Sequence, residues 1–92
     1  MNEMLTKLAK AEDVIWRQIG DDVVVIKDNG LATHVFNRTA GFIWELCDGT
    51  RGVENIATRL YERFEVTPEQ AKADVAEAVG HLVEAGILIE IE

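Results

Sequence analysis

Val14-Ile15-Trp16-Arg17-Gln18-Ile19-Gly20-Asp21-Asp22-Val23-Val24-Val25-Ile26-Lys27-Asp28-Asn29-Gly30-Leu31-Ala32-Thr33-His34-Val35-Phe36 is the stretch that decides the fold. Short runs rich in β-branched and aromatic residues, Val14 to Ile19, Val23 to Lys27 and Leu31 to Phe36, are parted by Gly20-Asp21-Asp22 and Asp28-Asn29-Gly30. The separators are turn residues, and Asn29-Gly30 tolerates the positive φ of a tight hairpin. The runs therefore predict three strands in a meander.

Downstream the apolar period lengthens. Ala40, Ile43, Trp44 and Cys47 share one helical face, with Asn37 as N-cap and Asp48-Gly49 as the stop, which predicts a helix over 38–48. Val53, Ile56, Ala57, Leu60, Tyr61 and Phe64 recur at three- and four-residue steps and predict a second amphipathic helix ending near Glu65. Thr67-Pro68-Glu69-Gln70 opens a third: Thr67 caps, Pro68 suits the first turn, and Gln70 completes a capping box. Its apolar stripe is Ala71, Val75, Ala78, Val79, Leu82 and Val83, and it stops at Gly86. Ile87 to Ile91 reads as a closing strand or extended segment. Upstream, Met4, Leu5 and Leu8 have helical spacing, so residues 1–12 read as a loose N-terminal segment or nascent helix ahead of a domain at 13–92.

A three-stranded sheet cannot bury an apolar face alone, so the helices must pack on it. The result is a small α+β domain, winged-helix-like, with a three-stranded antiparallel meander followed by three helices. At 92 residues such a domain has room for one thin core and little space for a deep catalytic pocket. The winged-helix arrangement brings in a DNA-binding transcription regulator as the alternative function. Charge argues against it: the formal net charge is −8, and the third helix carries Glu69, Asp74, Glu77 and Glu84 against Lys72. One cysteine forms no internal disulfide, and no run approaches the roughly 18 apolar residues of a membrane span. The expectation is a soluble, cytoplasmic protein with no nucleic-acid or membrane partner.

The strands differ in one telling way. The first contains Arg17 and the second Lys27, whereas Leu31-Ala32-Thr33-His34-Val35-Phe36 has neither charge nor proline. At a sheet edge nothing would guard it. Either Ile87 to Ile91 or the N-terminal segment covers it, or another chain adds a strand there, a route that would also let two copies pair as a homodimer.

Val35-Phe36-Asn37-Arg38-Thr39-Ala40-Gly41-Phe42-Ile43-Trp44-Glu45-Leu46-Cys47-Asp48-Gly49 resembles the corresponding stretch of the PqqD-like family, named after the D component of pyrroloquinoline quinone biosynthesis. Val53-Glu54-Asn55-Ile56-Ala57, Ala73-Asp74-Val75 and Leu82-Val83-Glu84-Ala85-Gly86-Ile87-Leu88 agree in order and spacing. The resemblance implies a non-catalytic recognition element for ribosomally made, post-translationally modified peptides. Such a protein holds the leader of a precursor peptide and presents its core to a modifying enzyme, often of the radical S-adenosylmethionine type. The family's mode, carried onto this chain, places the leader against Leu31, Ala32, Thr33, His34, Val35 and Phe36. It would also touch the third helix at Ala71, Lys72, Val75, Ala78, Val79 and Leu82. Gly52 departs from the Ser or Thr that often caps the second helix. Lys27-Asp28-Asn29-Gly30-Leu31 departs from the members that act in quinone synthesis itself, so the resemblance is to the wider family.

No cofactor is expected. Cys47 lies on an apolar stripe with no basic residue adjoining it in sequence, which reads as packing rather than catalysis. His34 and His81 lack a second ligand at short spacing and make a poor metal set. Trp16 and Trp44 have bodies suited to the core.

Overall fold

The computed structural model describes residues 6–27 and 32–92. In chain order the elements are β1 (Lys7–Lys10), β2 (Val14–Ile19), β3 (Asp22–Lys27), β4 (Ala32–Phe36), α1 (Arg38–Leu46), β5 (Asp48–Arg51), α2 (Val53–Arg63), α3 (Pro68–Glu84) and β6 (Leu88–Ile91). The predicted meander is present as an antiparallel sheet in the order β2-β3-β4. Its register pairs Trp16 with Val25 and Val25 with His34. The predicted Asn29-Gly30 turn and Leu31 lie outside the described residues.

The helices begin where the cap chemistry predicts. Asn37 Oδ1 accepts from the Ala40 N–H at 2.9 Å, and Thr67 Oγ1 from the Gln70 N–H at 3.0 Å, each such cap being worth about 1 kcal/mol. The capping box is not completed. Gln70 Nε2 instead donates to Asp74 Oδ1 at 2.7 Å, one turn further along the helix. α2 begins at Gly52 without a side-chain cap, and the glycine has another cause: a Cβ there would lie 2.6 Å from the Thr6 carbonyl oxygen. The chain entering β1 therefore passes too close for any side chain.

The N-terminal expectation is corrected. Residues 7–10 form a strand, not a helix, while residues 1–5 lie outside the described part. β1 is the middle of a second antiparallel sheet, β5-β1-β6, in which Lys7 pairs with Ile91 and Leu8 with both Glu90 and Arg51. These partners are dozens of residues away, so local spacing around Leu8 carries no trace of them. The same sheet shortens the first helix: α1 ends at Leu46, Cys47 closes it, and Asp48 already belongs to β5 rather than to the helix.

One core joins the layers. Leu8, Val25, Phe36, Trp44, Ile56, Leu60, Val75 and Ile87 belong to a single buried cluster, to which both sheets and all three helices contribute. Trp44 is its largest fully buried side chain.

Candidate functional site

β4 is an edge strand. It pairs with β3 on one side, and no described strand pairs with the other. Of the segments that sequence offered as alternative covers, β6 and the described strand of the N-terminal segment, β1, pair with each other instead, and residues 1–5 lie outside the described part. Residues opposite each other in an antiparallel ladder share a face, so His34 and Phe36 point with Val25 and Val23 toward the core, and Thr33 and Val35 point with Ile26 and Val24 outward. Burial follows that alternation: Phe36 is buried, Ala32 and His34 half-buried, Thr33 and Val35 exposed. The His34 ring lies 6.5 Å from Phe36, which lies 5.7 Å from Trp44. The strand is thus anchored at its end by a packed aromatic series, while no described strand pairs with its outer main-chain groups.

The α3 residues divide. Ala71 and Val75 are fully buried, and Val79 and Leu82 nearly so. The first two support the wall from behind and do not reach its surface. Ala78 is half-buried against the core. Lys72 is exposed and drawn toward α2, its Nζ 3.2 Å from Glu54 Oε1. With Val79 it lines a groove between α2 and α3. Ala78, six residues on, lies about 120° round the helix from Lys72. Lys27, the last residue of β3 and the partner of Ala32, reaches the turn after α3, with its Cε 3.3 Å from where a Cβ of Gly86 would stand. Leu31 falls outside the described residues.

Several features gave no signal in sequence. The outward face of the meander bears Ile15, Ile19 and Val35, each more than 60 % exposed. Lys10 lies against two aromatic rings, its Nζ 5.5 Å from the Trp16 centroid and 5.1 Å from that of Trp44, and donates to the Cys47 carbonyl at 3.2 Å. Trp16 and Trp44 meet edge to face at 6.1 Å. Burial lowers the Lys10 pKa from its ordinary value, against the pull of Cys47, Asp48 and Glu45. The Cys47 thiol is pushed up to about 11 because burial outweighs the nearby ammonium, and its Sγ donates to the Ile43 carbonyl at 3.2 Å. A thiol in that state is a packing group, not a nucleophile. Among the described residues no cluster of His, Cys, Asp and Glu could hold a metal ion, and no helix is long and apolar enough to cross a membrane.

The family model for coenzyme PQQ synthesis protein D matches residues 22–88, which takes in β3, β4 and all three helices. A comparison with curated protein sequences finds no match. Among solved structures, TbiB1 in complex with the TbiA(beta) leader peptide superposes with a TM-score of 0.78 at 18% identity, over 87% of this chain and 93% of its own. Lasso peptide synthetase B1 complexed with the leader peptide gives 0.80 at 20% identity, over 90% and 98%. The heterocyclase TruD gives 0.65 at 20% identity, over 94% of this chain but 12% of its own. These likenesses are of fold, and the family follows from the stretch running from β3 to the start of β6: the chain belongs to the family of coenzyme PQQ synthesis protein D.

Proposed function

We propose that this chain is a non-catalytic adaptor that binds the leader of a ribosomally made precursor peptide as an added strand on β4. It then presents the remainder of the peptide to a modifying enzyme, of the radical S-adenosylmethionine type or another peptide-modifying class. One observation carries the reading. β4 is uncharged and no described strand pairs with its outer edge, while β1 and β6 are committed to each other in the second sheet. Two proteins of the same fold, TbiB1 and lasso peptide synthetase B1, hold leader peptides, which supports the same use here. In the heterocyclase TruD the fold makes up 12% of the chain, which fits a unit that works beside a larger one.

Magnitudes say what else the site must supply. Micromolar affinity requires about −8 kcal/mol. A strand the length of β4 offers about four or five outward main-chain hydrogen bonds, each worth about 1 kcal/mol net. At least about 3 kcal/mol must then come from apolar side chains, the equivalent of burying one or two of them. The half-buried Ala32 and His34 on β4, with Ala78 and Leu82 on α3, are the surfaces we assign to that task. Ala71 and Val75 act from behind, and Lys72 and Val79 belong to the neighbouring groove.

Titration calorimetry with the leader of a precursor encoded beside this gene, at low and high salt, tests the reading. The expected result is saturable binding, micromolar or tighter at the order of magnitude, that barely changes with salt. Absence of binding at several temperatures would overturn it. Duplex DNA bound instead, with affinity falling steeply as salt rises, would point to a nucleic-acid regulator.

A further inference from the structure

We infer that the groove between α2 and α3 is a second docking site, separate from β4, and that its occupant is a basic amphipathic helix of a partner protein. The groove has a volume of about 860 Å³. Its floor is apolar: Leu8 from β1, Val53 from α2, and Val79 and Val83 from α3. Leu8 and Val79 close it from below, while Val53 and Val83 are only half-buried. Its rim is acidic, with Glu54, Glu84 and Glu90 against, among the described residues, the single cation Lys72. That cation is already paired with Glu54, and neither Glu84 nor Glu90 has an ion-pair partner among the described residues. An apolar floor below unneutralised carboxylates fits an occupant with apolar anchors flanked by Lys or Arg, and the net charge of −8 steers such a partner inward.

The walls select a helix. Both are helices, whose backbone groups are spent internally, and β1 in the floor is paired on both sides, so among the described lining elements only β6, at Glu90, has an unpaired strand edge and no ladder runs along the helical walls. A helix satisfies its own N–H and C=O groups and needs only side-chain contact. The α3 wall runs from Lys72 to Glu84, and twelve steps of about 1.5 Å make about 18 Å, or roughly three helical turns. Gly80 adds a separate reason. It stands in the middle of α3, where glycine costs about 1 kcal/mol relative to alanine. A Cβ at that position would meet nothing within 4 Å, so packing within this chain does not require the glycine. It lies in the groove wall beside Ala76, one turn away, and the two leave room for a second backbone to come close.

The test is a two-dimensional amide NMR titration of the full chain. The probe is a synthetic capped 14-residue helix carrying Leu at every third or fourth position and Lys on its flanks. Saturable shifts are expected at Val53, Thr58, Ala76, Gly80 and Val83. Exposed-site variants Glu84→Lys and Glu90→Lys, combined, should weaken binding at least ~10-fold, and a probe with Ser for Leu should not bind. Unsaturable shifts spread over every acidic surface, shifts on β4, or unchanged binding by the charge-reversed protein would each overturn the inference. Leader binding at β4 is measured on the same variants and should be unaffected, so the fate of one site is read independently of the other.

Discussion

Cys47 lies between two opposing influences, and their balance can be measured. Burial disfavours the thiolate, the Lys10 ammonium favours it, and burial wins, leaving the thiol at about 11 against an ordinary 9.0. An acid whose folded pKa is raised contributes stability that is complete below the unfolded pKa and is lost as pH rises toward the folded one. Two units of difference amount to roughly 2–3 kcal/mol lost between about pH 9 and 11. Urea melts of the wild type and of Cys47→Ala over that range should show a steeper alkaline loss in the wild type. Parallel profiles would contradict the assignment. The inward position of Cys47 and Trp44 was legible from helical spacing, because a helix face is a local property. The cation beside them was not, since Lys10 is 37 residues from Cys47 in the chain and is carried there by β1 of the second sheet.

Elements were legible in proportion to the local chemistry that bounds them. β2, β3 and the three helices carry their own signals in Gly20-Asp21-Asp22, in Asn37 and in Thr67-Pro68. β1 and β5 are four residues each, alternate weakly, and exist because distant strands hold them. The edge character of β4 was half legible: its lack of charge was visible, but its openness depended on where β1 and β6 went. A pair of proline variants separates ladder from edge. Adjacent residues in an antiparallel strand send their N–H groups to opposite sides, so Thr33→Pro and His34→Pro remove one donor each from the β3 side and the open side. The open-side variant should fold normally and lose leader affinity at least ~10-fold, and the ladder-side variant should lose stability instead. Two folded variants with wild-type affinity would rule out strand addition.

At the scale of the molecule, two small sheets share one core and present surfaces of different chemistry. The open edge of β4 suits main-chain pairing, the α2–α3 groove suits a basic helix, and the outward face of the meander presents Ile15, Ile19 and Val35. A leader strand added to β4 would widen that outward face by one strand. Sequence composition gave the sign of the charge and the edge. The individual α3 residues came from family resemblance; in the structure Ala71 and Val75 are fully buried, and Lys72 is turned toward α2.

The most direct measurement is residue-resolved amide hydrogen exchange of the full chain with and without saturating leader peptide. Strand addition at β4 predicts slowing of at least ~10-fold at alternate residues of Ala32–Phe36, those whose N–H groups point away from β3, with their neighbours unchanged. Slowing confined to α2 and α3, with every amide of β4 exchanging as in the free protein, would contradict it.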